Sequence, residues 1–370
     1  MLPVLRRPLY RVEVDGTDYT SRFQPLVKSI DVNDRAGTAT DSASITLADV
    51  GGAIKLPDEG ALMRISLGDT VDGVGLTFSG FVSDVNSRGS KRGGRELIIG
   101  AKGIDPKSDA KAAQGQHLDD ATFGDAAKKF AQSAGIPEVI IASELASLQR
   151  PYWAMQFESF LHWGQRISRE MGATFKMQDG KAIFTPANAG MTAGGVALPP
   201  VLATLGVNLL NWSISPVFSR PRHGKVRARF FNEKKSKWEE READVEGGGG
   251  AAFIDRFVSG TAENAERRAR SLKGRSERNG GDGSVLIVGT ATAKPEAPLI
   301  LSGTRPGIDG TYLIDGVQHR LAKGGYTTSC DLKKPSGEAG KDGRSPTSTR
   351  SGPAYASATP TSTGRAAGPV

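Results

Sequence analysis

The sequence predicts an α+β fold, mainly β, in which one small β module occurs twice and carries an α/β insertion and a helical insertion. The first observation behind this is a recurring strand phrase. Gly80-Phe81-Val82-Ser83-Asp84-Val85-Asn86-Ser87-Arg88 runs through Gly93-Gly94 into Leu97-Ile98-Ile99. Its counterpart, Gly310-Thr311-Tyr312-Leu313-Ile314-Asp315-Gly316-Val317-Gln318-His319-Arg320, runs through Gly324-Gly325 into Cys330 to Leu332. With one gap at Gly316, Phe81 aligns with Tyr312, Asp84 with Asp315 and Arg88 with Arg320. An apolar strand precedes each copy, Leu62 to Leu67 and Leu299 to Leu301. Such a repeat reads as a duplicated unit, and duplicated units build rings; chance similarity of two hairpins is the competing account. The second observation is composition. Of 370 residues only 38% are hydrophobic and 6% aromatic, while 47 are glycine, which favours several turn-rich modules over one large core.

Residues 1–104 read as the first β module. Tyr10 to Val14 alternates and meets a hairpin turn at Asp15-Gly16, leading to Thr17 to Thr20. Ser44 to Leu47 alternates again, and strands follow at Leu62–Leu67, Leu76–Val85 and Glu96–Gly100. Strands at this spacing make a small barrel or sandwich.

Residues 105–190 change to an α/β insertion. Thr122 and Asp125 satisfy orphan amides at a helix start, and Gly135 before Ile136-Pro137 ends that helix. A second helix runs from Glu158 to Met171 with Phe160, Trp163, Ile167 and Met171 as its stripe. A hairpin follows, Thr174–Met177 and Lys181–Phe184 about Asp179-Gly180.

Residues 191–207 are expected to be a linker. From 208 to 334 the β signal returns at Ile214–Val217, Lys225–Phe231, Val285–Thr290, Leu299–Leu301 and Tyr312–Leu332. An inserted loop and helix occupy about 239–282. There Gly247–Gly250 is a flexible loop and Thr261–Arg278 a basic helix with Ala262, Ala265, Ala269 and Leu272 inward. Residues 335–370 are rich in Ser, Thr, Pro and Gly without apolar periodicity and are expected to be disordered.

Catalytic patterns are sparse. His117, His162, His223 and His319 lack metal-ligand spacing, and no nucleophile elbow, phosphate loop or dinucleotide fingerprint is present. No catalytic residue, cofactor site or metal site is therefore expected, and the chain reads as a non-enzyme. A cell-wall hydrolase is the weaker alternative, because a carboxylate pair can come from distant positions. The single cysteine, Cys330, excludes an internal disulfide. The longest apolar runs are too short to span a membrane, and the N-terminus lacks a signal-peptide pattern.

The net charge of +8 admits an anionic partner. Lys225, Arg227 and Arg229 share one face of a strand, with Phe231 and Trp238 nearby, and Arg267, Arg268 and Arg270 lie on the basic helix. Three readings stay open for these six residues: a nucleic-acid surface, an interface with an acidic protein, or an ordinary solvated face. A basic nucleic-acid-binding protein is the main alternative function.

The chain resembles the phage late-control D proteins, baseplate hub proteins of tailed phages related to the T-even hub and to the N-terminal part of type VI secretion spikes. The resemblance spans about residues 8–334. It rests on Pro8 to Thr20, Asp41 to Asp49, Leu56 to Gly60, Gly80-Phe81-Val82, Gln156 to Leu161, Arg169 to Ala173, and Gly310 to His319 with Gly324-Gly325. It implies a homotrimer in which two β-barrel tube domains per chain alternate as a pseudo-sixfold ring. Such a ring joins the tail tube, or a distal tail protein, to a central spike and leaves a channel for DNA. The implied partners extend to the tape-measure protein and other baseplate proteins, and the implied place is the virion tail, assembled in the host cytoplasm. No spike-like or lysozyme-like segment follows residue 334, so the spike is expected to be separate, with the tail as a tether to it. In this resemblance Gly80 and Gly310 mark tight strand starts. Phe81, Tyr312, Gly324 and Gly325 complete the repeated motif, while Asp84, Asp315 and His319 are turn or strand-end hydrogen-bonders without catalytic duty.

Overall fold

The computed structural model describes residues 6–37, 39–91, 94–215, 223–246, 248–278, 281–336 and 339–341. Gly93, Val217, Gly247 and the Ser/Thr/Pro/Gly tail from residue 342 onward lie outside the described residues.

The first module contains β1 (Pro8–Val14), β2 (Thr17–Asp18), the short helix α1 (Thr20–Phe23), β3 (Val27–Arg35), β4 (Ser42–Ala48), β5 (Leu62–Asp69), β6 (Gly73–Ser90) and β7 (Gly94–Lys102). Asp15 and Gly16, at φ 48° and 75°, make the two-residue turn that the Asp-Gly pair predicts. Its core is Val12, Ile30, Val32, Ile45, Leu47, Met63, Ile65 and Leu67, all fully buried. In each strand these alternate with more exposed positions, as the pleat requires.

The insertion contains β8 (Gln114–Thr122), α2 (Phe123–Ser133), β9 (Val139–Ile141), α3 (Ser143–Ala146), β10 (Gln149–Glu158), α4 (Phe160–Met171), β11 (Ala173–Gln178) and β12 (Lys181–Pro186). Thr122 Oγ accepts from the amide of Asp125, and Ser159 Oγ from that of His162, so both predicted helices are capped by hydroxyls. Gly172 at φ 72° ends α4 in the left-handed conformation. Phe123, Phe130, Phe160, Trp163, Phe175 and Phe184 form an aromatic core of their own. The β8–β10 pair escapes the sequence reading because it is a two-stranded ribbon with few buried positions.

The chain then forms β13 (Val201–Thr204), β14 (Leu209–Ser215), β15 (His223–Asn232), β16 (Lys237–Asp244), β17 (Gly249–Ser259), α5 (Ala262–Arg278), β18 (Asp282–Val288), β19 (Pro298–Ser302), β20 (Gly310–Ala322) and β21 (Gly325–Ser336). Two expectations are corrected. The 191–207 segment is not a linker throughout, since Val201–Thr204 pairs in parallel with β19 and buries Val201 and Ala203. The inserted 239–282 stretch is not only loop and helix: β16 and β17 flank β15, and α5 packs Ala265 and Ala269 on Ala228 and Phe230.

One topology occurs twice. In the first module the strand order is β3-β4-β7-β6-β5, and in the second it is β14-β18-β21-β20-β19. Chain order and antiparallel sense match strand for strand. β20 also pairs with β3, so both modules belong to one sheet of thirteen strands among the described residues. The modules differ at their far edges, where β1 lies antiparallel on β5 but β13 lies parallel on β19.

Gly80 does not mark a strand start. β6 begins at Gly73, and Gly80 sits mid-strand, where a Cβ would lie 2.3 Å from the Lys102 carbonyl oxygen. Gly310 does open β20, at φ 152° and with Ala339 N 2.6 Å from where a Cβ would stand. Gly80→Ala is expected to lower the unfolding free energy by about 1–3 kcal/mol, read as a lower urea midpoint with unchanged m-value. Gly250→Ala, with nothing within 4 Å of its Cβ position, is expected to shift the midpoint little.

Candidate functional site: the joint between the two β modules

The two modules meet along β3 and the C-terminal half of β20, in a register running from Arg35 opposite Gly316 to Ser29 opposite Ala322. Ile30 and Val32 on β3 face Leu321 and His319 on β20, and all four are buried. Leu321, with Tyr326 of β21, enters the core of the first module rather than its own. The joint is therefore a shared hydrophobic interior as well as a ladder of backbone bonds.

Charge pairs lock its two ends. At one end Arg320 Nε is 3.7 Å from Asp31. At the other, Asp315 is 3.3 Å from the Arg35 guanidinium of β3 and 2.9 Å from that of Arg278, the last residue of α5. Arg278 also lies 2.8 Å from Glu296 and donates to Asn188 at 2.9 Å. One carboxylate thus gathers the first module, the second module and the helical insertion. The α/β insertion attaches beside it. Lys176 of β11 pairs with Asp34, and at 2.8 Å with Asp41. Ser79 bonds Asp179 at the tip of the β11–β12 hairpin, and the Met177 amide donates to Ala39 at 2.7 Å.

Burial tunes two titrating groups here in opposite senses. Burial, with the neighbouring Asp34 charge, pushes the Asp41 carboxyl up to about 7 despite Lys176. Burial pulls the His319 imidazole down to about 4. His319 is accordingly neutral at pH 7, with Tyr326 Oη 3.0 Å and Thr328 Oγ1 3.2 Å from its Nδ1.

Asp315 and His319 are thus the members of the sequence-predicted motif that the structure brings to the joint. His319 is not a strand-end residue; it sits inside β20 because the β3 ladder covers it. Tyr312 is buried in the second core, its hydroxyl donating to the Ile308 carbonyl at 2.6 Å; Gly324 lies in the two-residue β20–β21 turn with Lys323, and Gly325 opens β21 opposite Ala322. Phe81 is half-buried at the end of the β5–β6 pairing, and Asp84 is exposed, accepting from Ser83 Oγ at 2.7 Å. The gap placed at Gly316 also needs correction. β6 bulges between Val82 and Asp84, and β20 between Ile314 and Gly316. The bulged residues Ser83 and Asp315 correspond, and from there Val85 matches Val317 and Arg88 matches Arg320 with no gap. Sequence reasoning missed Arg35, Arg278 and β3 itself, although Ile30 and Val32 in Val27–Asn33 carry a strand alternation.

The six basic residues singled out on β15 and α5 are met by acids of their own unit. Lys225 is 3.2 Å from Glu242, Arg227 is 2.7 Å from Glu242 and 3.8 Å from Glu240, and Arg229 stands opposite Glu240 across the β15–β16 ladder. Arg267 is 2.6 Å from Glu263, Arg268 pairs with Asp255, and Arg270 pairs with Glu266. Among the described residues no cluster of three His, Cys, Asp or Glu is placed to hold a metal ion, and no helix is long and apolar enough to cross a membrane.

Stability should respond to the two titrating groups in opposite ways. Between pH about 6.5 and about 4 the unfolded chain takes up a proton that folded His319 refuses, so its contribution falls as pH drops, by about 3 kcal/mol in all. Between pH 3.8 and about 7 folded Asp41 holds a proton that the unfolded chain releases, so its contribution falls as pH rises. Relative to the parent chain, His319→Gln is expected to flatten the acid-side loss, and Asp41→Asn to flatten the loss toward neutrality. Urea midpoints at half-unit steps from pH 4 to 7.5 would show both.

No family model matches the chain. The probable baseplate hub protein of Escherichia phage 186 is 23% identical over 368 residues, an alignment covering 88% of this chain and 92% of the relative. That of Escherichia phage P2 is 25% identical over 367 residues, covering 88% and 93%. Among solved structures, a tail protein from Neisseria meningitidis MC58 superposes with a TM-score of 0.67 at 16% identity, over 88% of this chain and 96% of that one. The 43 kDa tail protein of prophage MuSo2 from Shewanella oneidensis gives 0.64 at 16% identity, over 88% and 98%. A type VI secretion system component from E. coli gives 0.55 at 13% identity, over 90% and 79%. The fold is therefore that of phage tail proteins, and the chain is a homologue of the baseplate hub proteins of phages 186 and P2.

Proposed function

We propose that this chain is a structural baseplate hub that forms a homotrimeric, pseudo-sixfold ring between a tail tube and a central spike, leaving a channel through which DNA passes. The observation that carries the reading is the doubled five-strand topology, joined edge to edge within one chain. Two like modules side by side make one third of a six-unit ring, so three chains can present six similar faces to a sixfold tube and still offer threefold symmetry to a spike. Hub homologues of similar length support the tail location and a mechanical role rather than turnover. In this reading the tail tube or a distal tail protein binds one face and a separate spike the other. The tape-measure protein and other baseplate proteins are further neighbours.

The nucleic-acid alternative loses weight at its own strongest point. The cations of β15 face the acidic strand β16, which carries Glu239, Glu240, Glu242 and Asp244, so the strand pair presents little unbalanced positive field. The purified chain is expected to have a solution mass near three times 39.0 kDa by light scattering at moderate salt. A stable dimer would overturn the ring. Arg227→Ala together with Arg229→Ala is expected to leave retention on DNA-cellulose unchanged, and a steep, salt-dependent loss would revive the DNA-binding reading.

A further inference from the structure

A cleft of about 400 Å³ opens beside the joint, where the C-terminal end of α4 meets α5. Gly172 permits the close approach of the two helices. A Cβ there would lie 3.2 Å from that of Ser271, whose hydroxyl donates to the Arg169 carbonyl at 2.9 Å. Arg267, Arg270, Arg275 and Arg278 fall on one stripe of α5 and line the cleft, with Arg169 of α4 across from them. Ala265 and Ala269, on another face of the same helix, pack on β15.

The five guanidinium groups are not equivalent. Arg278, next to the joint, is held by Asp315 and Glu296. Arg267 and Arg270 each pair with a glutamate one turn back, but Glu263 and Glu266 are 72% and 49% exposed, so water competes for both pairs. Arg169 and Arg275 have no carboxylate partner among the described residues, and both are exposed. Arg275 Nη2 lies 3.5 Å from the Arg169 carbonyl oxygen. Desolvation by the cleft wall, and then the charges of Arg169 and Arg268, pull the Arg275 guanidinium below the usual arginine range. Part of this charge has an internal use, since Arg169 and Arg275 occupy the last turns of α4 and α5. Each helix end presents about half a negative charge, so two guanidinium groups exceed two helix ends by about one charge.

We propose that this cleft docks an acidic, glutamate-bearing segment of a partner protein, whose carboxylates are taken by the forks of Arg169 and Arg275 with Arg267 and Arg270 at hand. Guanidinium forks match carboxylates in two parallel hydrogen bonds, as Arg278 already shows by gathering Asp315 and Glu296 at the same corner. Met171, Ala173 and Ala187 give the cleft an apolar wall, which suits the methylenes of glutamate. Its volume admits a short stretch of peptide. A nucleic acid fits less well. A duplex carries a negative charge about every 1.7 Å along its axis and therefore wants a row of free cations. Only two cations of the lining are free here, and Glu263, Glu266, Glu296 and Asp315 surround them with charge that repels further phosphates. The inference goes beyond the ring reading and stands whether or not the chain forms a ring.

Fluorescein-labelled hexaglutamate, titrated with the full-length protein and read by fluorescence polarisation at about 50 mM salt, tests the site. Saturable binding that weakens with salt is expected. Arg169→Gln together with Arg275→Gln is expected to weaken it at least tenfold. Arg64→Gln together with Lys102→Gln removes the same charge from exposed positions of the first module and is expected to change it less than twofold. Where the arginine pair fails to fold, the single surface change Arg275→Gln is expected to weaken binding at least threefold. Saturating hexaglutamate is also expected to raise the urea midpoint of the parent chain, a readout that needs no variant. A parent chain that shows no saturable binding would overturn the proposal. Equal losses in the two double variants would also overturn it, by showing attraction to overall charge rather than to this cleft. Single-stranded DNA of about 12 nucleotides that binds more tightly than the peptide, and is released by the arginine pair, would give the cleft to phosphates and overturn the acidic segment as its occupant.

Discussion

The antiparallel pairing of β3 with β20 is the constraint on which the rest of the molecule depends. It turns two similar modules into one continuous sheet, and it decides what each strand on either side may do. Because Leu321 and Tyr326 complete the core of the first module, that module does not keep a closed interior without the second. The charged groups follow from the same pairing. Asp315 occupies the bulge that re-aims β20, and the two guanidinium groups of Arg35 and Arg278 converge on it from different elements. Each guanidinium leaves its carboxylate partners well bonded, so the corner where four segments meet is polar without holding an isolated charge.

The repeat was legible in the sequence because its carriers are short-range. A bulged long strand, a glycine turn and a returning apolar strand lie within about thirty residues, and each leaves a local mark. The cap at Thr122 and the Asp-Gly turns are legible for the same reason: side-chain and backbone geometry there depend on neighbours three residues away or fewer. The one-residue gap was misplaced because identity of residue type, Asp84 with Asp315, competed with identity of backbone geometry, Ser83 with Asp315. Geometry is the better guide, since a bulge alters the course of the strand while a surface aspartate does not.

What the sequence hid is long-range. β3 was passed over because its buried pair, Ile30 and Val32, is set among Lys28, Asp31, Asn33 and Asp34, and the second strand that buries it lies almost three hundred residues away. β16, reading Lys237 to Asp244, looks like a solvated charged run. It is ordered by β15 on one side, and the same ladder brings its glutamates to the arginines that had suggested a basic surface. A net charge cannot reveal such pairing, since register decides which charges meet. His319 shows the same limit. Between Gln318 and Arg320 it reads as a turn or strand-end hydrogen-bonder, and only the covering strand makes it a buried neutral group.

Duplication also explains why the two modules differ where they do. Inside one chain the joint forms during folding, at an effective concentration fixed by covalent connection, so it can bury large apolar groups such as Leu321 and Tyr326 without exposing them to solvent for long. The corresponding edge of β6 carries Ser87 and Gly89 where β20 carries His319 and Leu321, so a strand that no described neighbour covers keeps little apolar surface there. The bulges at Lys28 and Leu210, and at Ser83 and Asp315, are kept in both modules because they set the bend between neighbouring strands. A ring closes only if every step turns by the same angle. Side chains on the edges can therefore diverge to suit folding or assembly, but the bulges that set the angle cannot.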